Sequence, residues 1–378
     1  MAIAALGSAS IWFFAAEAHG LLPQGNFVAN EEQRWVLTGP DAASRRRDAL
    51  ARASVRLDRS DTVSLALPSN PDGDLHVNAP LVCRFISDEP TGTSAKFNCV
   101  LDGGAVVKVK YSRNPEINAE TAASKLLRTL GYAADHVRIV PRLRCYGCPR
   151  YPFVTLQLLS LAHSTDMLAP HGYTSAYTDF EWVAVESRFD APAIESDTQQ
   201  GWAWFELEAS HAMQTDLDAF RLLAVFLAHW DNKSENQRLV CLDKSPGATP
   251  EACARPLLMI QDLGATFGPL KVDLAEWSSR PIWADRSRCT VSMRSFPYRG
   301  ATFVDAGISE GGRVQLGRQL SAISSDDIRK LFGDARFHVF YSGTDDEKDL
   351  AAWTAAFRRR VDQIVNAGPC PDVNGIAD

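Results

Sequence analysis

This sequence has fewer positively charged residues than negatively charged ones. Its 378 residues include 39 lysines and arginines against 46 aspartates and glutamates, which gives a formal net charge of -7 at pH 7. Proteins that bind nucleic acids in general usually have a basic balance or a strong basic stripe, so the composition argues against that class. Two short basic runs, at residues 45–47 and 358–360, fall within helical patterns, and we interpret them as solvated helix faces.

Long apolar runs are also missing, except at the N-terminus. Beyond that end no segment has about 18 uninterrupted apolar residues, so we expect no membrane-spanning helix in the mature chain. Residues 1–18 are mostly apolar and end in Ala16-Glu17-Ala18, the pattern of a secretory signal cleaved after Ala18. The positive segment that usually opens a signal is absent, which leaves a buried or membrane-associated helix as the alternative. We expect an exported protein, periplasmic or extracellular, or a cytoplasmic one if the segment is not a signal.

Eight cysteines fit export, because an even number suits disulfide bonds formed in an oxidising compartment. Sequence spacing does not determine the connectivity of these cysteines. Local pairing is the simplest prediction, with Cys83 joined to Cys99 across a hairpin and Cys241 joined to Cys253 across a Pro/Gly loop.

Cys145 and Cys148 form a C-x-x-C motif. A thioredoxin-like role needs a βαβ context, and a zinc site needs a second cysteine pair at suitable spacing; the sequence has neither. We interpret the motif as a small structural disulfide in a turn. A redox or metal centre on an unrelated fold is the alternative hypothesis.

The order of predicted elements indicates an arm followed by two lobes. After the signal, residues 19–75 are interpreted as a helical and extended arm, residues 76–160 as a small lobe and residues 161–378 as a large lobe. In the small lobe, apolar runs separated by turn residues predict short strands, including one at residues 153–156, and residues 119–130 predict a helix. The expected fold is α+β, with an antiparallel sheet and one helix in the small lobe and a larger, mainly helical lobe.

Residues 229–236, His-Trp-Asp-Asn-Lys-Ser-Glu-Asn, are the most informative stretch. They follow a strong amphipathic helix pattern. Phosphoryl transfer needs a carboxylate near the attacking hydroxyl and an amide oxygen on a metal ion, and Asp231 and Asn236 have the residue types and spacing for these roles. Lys233 would face the transferring phosphate. The spacing of Asp231 and Asn236 alone is common, and an ordinary helix-ending turn is the alternative.

A second carboxylate follows a short buried strand at residues 257–260. Asp262-Leu263-Gly264 would place the carboxylate of Asp262 at the strand end, where a magnesium ion can bridge phosphates, and Gly264 permits a sharp turn. A plain β-turn is the alternative.

A strand lysine and a helix carboxylate complete the pattern. A lysine that reaches the phosphates of a nucleotide needs a carboxylate to hold it, and Lys110 and Glu120 fit these roles. Lys108 lies on the same strand face, because side chains alternate with a period of two. We prefer Lys110, which is nearer the strand end and the helix; surface lysines on an edge strand are the alternative.

The predicted phosphate-covering turn is irregular. Its candidates are small or polar residues that can offer backbone N–H groups, hydroxyls or charge to phosphates: Gly92, Thr93, Ser94 and Lys96. The tip of a hairpin is the alternative interpretation.

The ordered set resembles the protein-kinase-like superfamily, in which a lysine, a helix glutamate, a catalytic-loop aspartate and asparagine and a metal-binding aspartate follow one another. The glycine-rich loop and an A-P-E motif are missing, Trp230 replaces the arginine of H-R-D, and Leu263 replaces the phenylalanine of D-F-G. The sequence is therefore more similar to the atypical branch, which includes HipA-like, phosphoinositide-kinase-like and secretory-pathway kinases. The resemblance implies a two-lobed fold and transfer of the γ-phosphate of ATP with Mg²⁺ or Mn²⁺.

Two functions follow as hypotheses. The first is a phosphotransferase acting on a protein or small-molecule hydroxyl, favoured because every metal and base position is filled. The second is a catalytically silent pseudokinase or nucleotide-binding module, favoured by the scarcity of ATP outside the cytoplasm.

Overall fold

The structure, a computed structural model, describes residues 34–57, 80–88, 92–111, 114–162, 174–209, 212–243, 253–297, 303–340 and 346–371. The predicted signal at residues 1–18 and the remaining parts of the predicted arm lie outside these residues. Within them the fold is α+β, as predicted, with a sheet-rich lobe and a larger lobe rich in helices.

The described residues form eleven strands and eight α-helices. The strands are β1 Arg34–Leu37, β2 Leu81–Ile86, β3 Lys96–Leu101, β4 Val106–Lys110, β5 His136–Tyr146, β6 Tyr177–Ser187, β7 Ala193–Ser196, β8 Gln237–Cys241, β9 Pro256–Ile260, β10 Thr290–Ser292 and β11 Asp305–Gly307. The helices are α1 Ala42–Arg52, α2 Glu116–Thr129, α3 Pro152–Leu161, α4 Gln214–Leu227, α5 Leu274–Ser279, α6 Glu310–Ser321, α7 Ser325–Asp334 and α8 Asp346–Val365.

The small lobe is a closed barrel of five strands in the order β2-β3-β4-β6-β5. Neighbouring strands are antiparallel except at the closure, where β2 and β5 are parallel. Alternate side chains of β3 and β4 point inward, so Phe97, Cys99, Val107 and Val109 are buried in the barrel core. The other side chains of these strands point away from the core, and the register of β3 against β4 places Lys96 directly opposite Lys110. This register gathers basic side chains on one face of the barrel.

The strand predicted at residues 153–156 is wrong, because this segment belongs to α3. Pro152 occupies the first turn of that helix, where its fixed φ favours helical geometry and its missing N–H costs nothing. Phe153 and Leu156 are buried, whereas Val154 and Leu158 are exposed. Short apolar runs fit a strand or a helix equally well from the sequence, and packing on the barrel decides between them. The small lobe therefore carries two helices, not the single one expected.

The barrel also extends beyond the expected lobe boundary at residue 160. Strand β6, residues 177–187, lies between β4 and β5 and pairs with both, so it is part of the barrel. The division of the chain into domains stays a prediction, and the sheet places residues 177–187 with the small lobe.

The described part of the predicted arm is built into the large lobe. Strand β1 pairs in parallel with β7. It is an edge strand of a four-stranded sheet in the order β1-β7-β8-β9. Helix α1 packs beside it, and Arg46 in its middle is 1% exposed and pairs with Glu206 at 2.9 Å. Arg360 in α8 is fully buried and donates to backbone carbonyl oxygens, including that of Trp277 at 2.7 Å. The solvated-face interpretation is therefore wrong for Arg46, the middle arginine of the first basic run, and for Arg360, the last arginine of the second.

Four disulfides join the eight cysteines. Cys83–Cys99 and Cys241–Cys253 confirm the local pairs predicted, and the C-x-x-C motif forms a disulfide at the end of β5, as expected. The fourth bond joins Cys289 to Cys370, 81 residues away. The helices described here include none that is both long and apolar enough to span a bilayer.

Candidate active site

The Asp231 loop begins where α4 ends. Ala228, just after α4, has a left-handed φ of 57°, which turns the chain sharply out of the helix. His229 and Asn232 are fully buried. The side-chain N–H of Asn232 donates to the carbonyl oxygen of His229 at 2.8 Å, and Gln237 Nε2 donates to the Asn232 carbonyl at 3.1 Å. These bonds hold the loop in one shape around Asp231.

Three predicted residues meet in this loop. Asn236 Nδ2 donates to the backbone carbonyl of Asp231 at 2.7 Å, so the hydrogen bond uses the amide nitrogen of Asn236 and not its amide oxygen. Lys233 Nζ lies 3.9 Å from Asp231 Oδ1. Burial raises the pKa of Asp231; Lys233 opposes this shift and the negative charge of Asp262 reinforces it.

Asp262 lies beside this loop because the two preceding strands pair. Gln237 at the start of β8 is opposite Ile260 at the end of β9, and the N–H of Gln261 donates to the carbonyl oxygen of Asn236 at 3.0 Å. Asp262 itself has a φ of 53°. A non-glycine residue in this region costs on the order of 1–3 kcal/mol and is concentrated at functional sites.

Gly264 makes a close approach that requires the absence of a side chain. A Cβ atom there would lie 2.1 Å from Cγ of Glu116, the first residue of α2. Glu116 in turn accepts a hydrogen bond from the Ser94 hydroxyl at 2.7 Å. The Asp262 segment, α2 and the predicted phosphate turn therefore meet through Glu116.

Lys110 and Glu120 form a buried ion pair, each 4% exposed. Lys110 Nζ donates to both carboxylate oxygens of Glu120, at 2.7 and 2.6 Å. Although burial opposes the charge, Glu120 and then Glu186 raise the pKa of Lys110 well above its ordinary range. Lys110 Nζ also lies 3.9 Å from Asp262 Oδ1, so this lysine links the small lobe to Asp262 of the large lobe.

Glu186 on β6 is a charged residue that the sequence analysis missed. It is 1% exposed, lies 2.5 Å from Lys108 Nζ and 3.5 Å from Lys110 Nζ, and faces the cleft between them. Burial favours its neutral form, but Lys108 and Lys110 together lower its pKa to about 2. Glu186 reaches the site because β4 pairs with β6 in a register that places Glu186 opposite Lys108. A single sequence does not reveal the register of two strands, so it gave no sign of this contact.

The geometry separates the two candidate lysines. Lys110 meets the helix carboxylate of Glu120, and Lys108 meets Glu186. The structure thus places Lys110, and not Lys108, on Glu120, and the role of Lys110 toward phosphate stays a prediction.

The predicted phosphate turn is brought to the cleft only in part. Lys96 lies on the face shared with Lys110, and its pKa is lowered by burial and then by the positive charges of Lys108 and Lys110. Among the described residues, no carboxylate pairs with Lys96 within 4.0 Å. Ser94 contacts Glu116 in the cleft. Gly92 and Thr93 are exposed.

The large-lobe side of the cleft carries oxygen atoms of the kind that bind a divalent cation. Asp231 Oδ1 is buried and accepts no hydrogen bond from the residues that the structure describes, and the charge of Asp262 acts on this carboxylate. Carboxylate and amide oxygens are the ligands that Mg²⁺ and Mn²⁺ take. The acidic side chains of the cleft do not form a group of three ligand atoms within 4.8 Å of one another. In the described chain only Cys241, Asp243 and Cys253 form such a group, and the two cysteines are joined in a disulfide.

A cavity of about 680 Å³ lies away from this cleft, between α1, α4 and α6. Its lining includes Arg52, Arg56 and Arg318. Two of these arginines already donate to backbone carbonyl oxygens, Arg52 to Cys253 at 3.2 Å and Arg56 to Leu130 at 3.3 Å. We therefore assign no ligand to it.

No protein-family model matches the sequence, and no curated protein matches it. Solved structures do resemble it. A proinflammatory kinase of Helicobacter pylori, CtkA, is 10% identical, with 76% of this chain and 96% of that chain covered and a TM-score of 0.43. The Golgi casein kinase with Mn and ADP bound is 12% identical, with coverages of 89% and 83% and a TM-score of 0.35.

A third similar structure is HipA from Shewanella oneidensis MR-1, solved with HipB and operator DNA. It is 11% identical, with coverages of 84% and 73% and a TM-score of 0.34. The proteins found are of the atypical kinase-like kinds that the sequence resemblance named. The likeness is modest in each case.

Proposed function

We propose that this protein is an ATP- and divalent-metal-dependent phosphotransferase of the atypical kinase type, acting on a hydroxyl of a protein or small molecule. The observation that carries the proposal is the position of Lys110. Its ammonium is held by Glu120 at 2.6 Å and lies 3.9 Å from Asp262, with Asp231 and Asn236 on the adjoining loop. Positioning and electrostatic stabilisation are the main requirements of phosphoryl transfer, and this cleft supplies groups for both.

The proposed roles follow from the charges. Lys110 and Lys96 bind phosphate oxygens, with Gly92, Thr93 and Ser94 offering backbone N–H groups and hydroxyls beside them. Lys110 holds a positive charge because two carboxylates face it. Lys96 lies on the same face and has no paired carboxylate among the described residues.

On the large-lobe side, Asp231 accepts the proton of the attacking hydroxyl. Its raised pKa favours proton uptake, since a base works best when its pKa approaches the working pH. Lys233, 3.9 Å away, is placed to face the transferring phosphate. Asp262 and Asn236 would hold a Mg²⁺ or Mn²⁺ ion, which neutralises the negative charge of the phosphates.

We also propose that the protein works outside the cytoplasm. Four disulfides in the described residues favour an oxidising compartment, because cytosolic thiols are usually kept reduced. The signal proposed at residues 1–18 agrees with that location.

Binding and turnover are tested separately. Melting temperature is measured with ATP, with Mg²⁺ or Mn²⁺, and with both, and transfer of labelled γ-phosphate is measured on the same samples. Metal should raise the melting temperature by relieving the repulsion between Asp231 and Asp262, and ATP with metal should raise it further. Asp262→Asn should lose the metal-dependent increase. Glu235→Gln is the matched control, because it removes a negative charge from the same loop at an exposed position.

Asp231→Asn separates chemistry from binding. It should retain ATP binding with metal and lose at least about a hundredfold in transfer rate, the contribution typical of a general base. Wild-type protein that binds ATP with metal and never transfers phosphate would instead establish the silent nucleotide-binding module. Wild-type protein that binds no nucleotide at any metal concentration contradicts both.

A further inference from the structure

The first turns of helix α2, which carry Glu120, are buried on all sides. Every residue from Ile117 to Ser124 is buried, which is more than two turns. A surface helix leaves one face in water, so burial all round means that both faces are packed. Ile117 packs with Val137 and Ala184 of the barrel, whereas Ala122 belongs to the core of the large lobe.

Two polar contacts add to this packing at the end of α7. The buried side chain of Asn118 donates through Nδ2 to the backbone carbonyl oxygen of Ala335 at 2.8 Å. Lys125 Nζ, two turns further along α2, lies 2.6 Å from Asp334 Oδ2. Both contacts join α2 to the large lobe from the same short segment.

The next residue of the segment reaches the barrel itself. The guanidinium carbon of Arg336 lies 3.4 Å from the ring centroid of Trp182 on β6, a cation–π contact. Both residues have left-handed φ values, 57° and 52°. Three consecutive residues, Asp334, Ala335 and Arg336, therefore each make a contact with the small lobe; we call this segment the latch.

An aromatic cluster in the large lobe packs against the residue that follows the latch. Phe337 follows it directly, and its ring centroid lies 4.7 Å from that of Trp353 and 5.2 Å from that of Phe267. Phe267 is five residues after Asp262, and its N–H donates to the carbonyl oxygen of Leu227 at 2.8 Å. One rigid cluster thus supports both the latch and the segment that carries Asp262.

We propose that the latch holds α2 permanently in the position that keeps Glu120 on Lys110, and that Asn118 and Lys125 are positioning residues for this pair. If the proposed function holds, the Lys110–Glu120 pair is already formed before nucleotide binds. No modification of a loop is then needed to move α2 toward the barrel. A helix packed on both faces has no second position of similar energy, because protein interiors are close-packed.

Hydrogen exchange and steady-state kinetics together test the latch. The variants are Lys125→Ala and Asn118→Ala, and the matched control is Lys330→Ala. Lys330 Nζ pairs with the same carboxylate, Asp334, at 3.1 Å, but from within α7. Amide exchange of α2 is followed by mass spectrometry for each variant of the full chain, without nucleotide.

In wild-type protein, α2 amides should be among the slowest to exchange. Lys125→Ala should speed them by about two- to fivefold, the range for one partly exposed ion pair, and Asn118→Ala by about tenfold or more, since it leaves a buried carbonyl unpaired. Lys330→Ala should leave the exchange of α2 unchanged. Lys125 is partly exposed, so its variant tests the latch even if Asn118→Ala does not fold.

The kinetic readout separates positioning from general stability. If α2 is held in place only part of the time, the apparent affinity for ATP falls by the competent fraction, so KM rises while kcat at saturation is kept. A purely structural loss would lower kcat through fewer folded molecules and leave KM unchanged.

Wild-type α2 amides that exchange as fast as those of the partly exposed α3 would overturn the latch. So would exchange and KM values for Lys125→Ala that match those of Lys330→Ala. If wild-type protein binds no nucleotide, the proposed function fails, and the exchange measurement alone still decides whether the latch holds α2.

Discussion

Replacing Lys110 with methionine tests the centre of the cleft, because methionine keeps most of the apolar stem and removes the charge. Lys110 and Glu120 are each 4% exposed and Glu186 is 1% exposed, so the change leaves carboxylates in a site that water does not reach. Removing one member of a buried ion pair costs about 3–5 kcal/mol of the free energy of unfolding. Lys108 still pairs with Glu186 at 2.5 Å, so most of this cost falls on Glu120.

A double-mutant cycle separates the pair from its surroundings. Free energies of unfolding are measured by urea denaturation for wild type, Lys110→Met, Glu120→Gln and the double variant. The double variant should be more stable than Lys110→Met alone, because the neutral amide no longer leaves a charge unpaired. The coupling should approach the upper end of the range for residues in contact, about 2–3 kcal/mol.

Lys108→Met is the matched control, since it removes a lysine two positions away on the same strand. Its side chain is more exposed, at 17%, and Glu186 retains Lys110 at 3.5 Å. The free energy of unfolding should fall by about 1.5–3 kcal/mol, the range for a hydrogen bond to a charged group. A coupling between Lys110 and Glu120 below about 0.5 kcal/mol, or equal losses for the two lysine variants, would refute the reasoning.

Three further predictions concern pH and disulfides. Burial, opposed by Lys233 and reinforced by Asp262, raises the pKa of Asp231, so the acid limb of phosphate transfer should lie above the ordinary value of 3.8; a limb at or below it contradicts the assignment. Burial lowers the pKa of His229 to about 4, so the unfolded chain takes up the proton first and stability should fall by about 3 kcal/mol between pH 6.5 and 4. Urea titrations of His229→Gln should show a flatter decline, and an unchanged decline would exclude this cause. Replacing both Cys289 and Cys370 with serine opens a loop of 81 residues and should cost about 4–5 kcal/mol in the chain-entropy account, against about 2 for the C-x-x-C pair; equal losses would be incompatible with it.

Local signals predicted the parts of the site that lie close together in the chain. The helix before Asp231 is α4, and the strand before Asp262 is β9. Pairing of β8 with β9 brings the two loops together, as the kinase resemblance implied. Local spacing was also enough to pair Cys83 with Cys99 and Cys241 with Cys253.

Contacts between distant segments were not predictable in the same way. Glu186 enters the site only through the register of β6 against β4, and one residue of slip would turn its side chain to the other face of the sheet. The helix at residues 152–161 was predicted as a strand because its apolar run carries no period that distinguishes the two. Arg46 and Arg360 were placed in solvent, although carboxylate and carbonyl groups more than 80 residues away hold them in the interior.

Short stretches of sequence were enough to predict the chemistry that is available: an acid and an amide at fixed spacing after a helix, a second acid after a buried strand, and a lysine at a strand end with a glutamate in the next helix. These are properties of short segments, in which hydrophobic period and turn residues suffice. The tertiary structure alone decided which charges share the cleft, that Lys110 rather than Lys108 meets Glu120, and that α2 is enclosed by both lobes. Those outcomes depend on strand register and on packing between residues far apart in the chain, where the free energy comes from excluding water and pairing buried charge rather than from local preference.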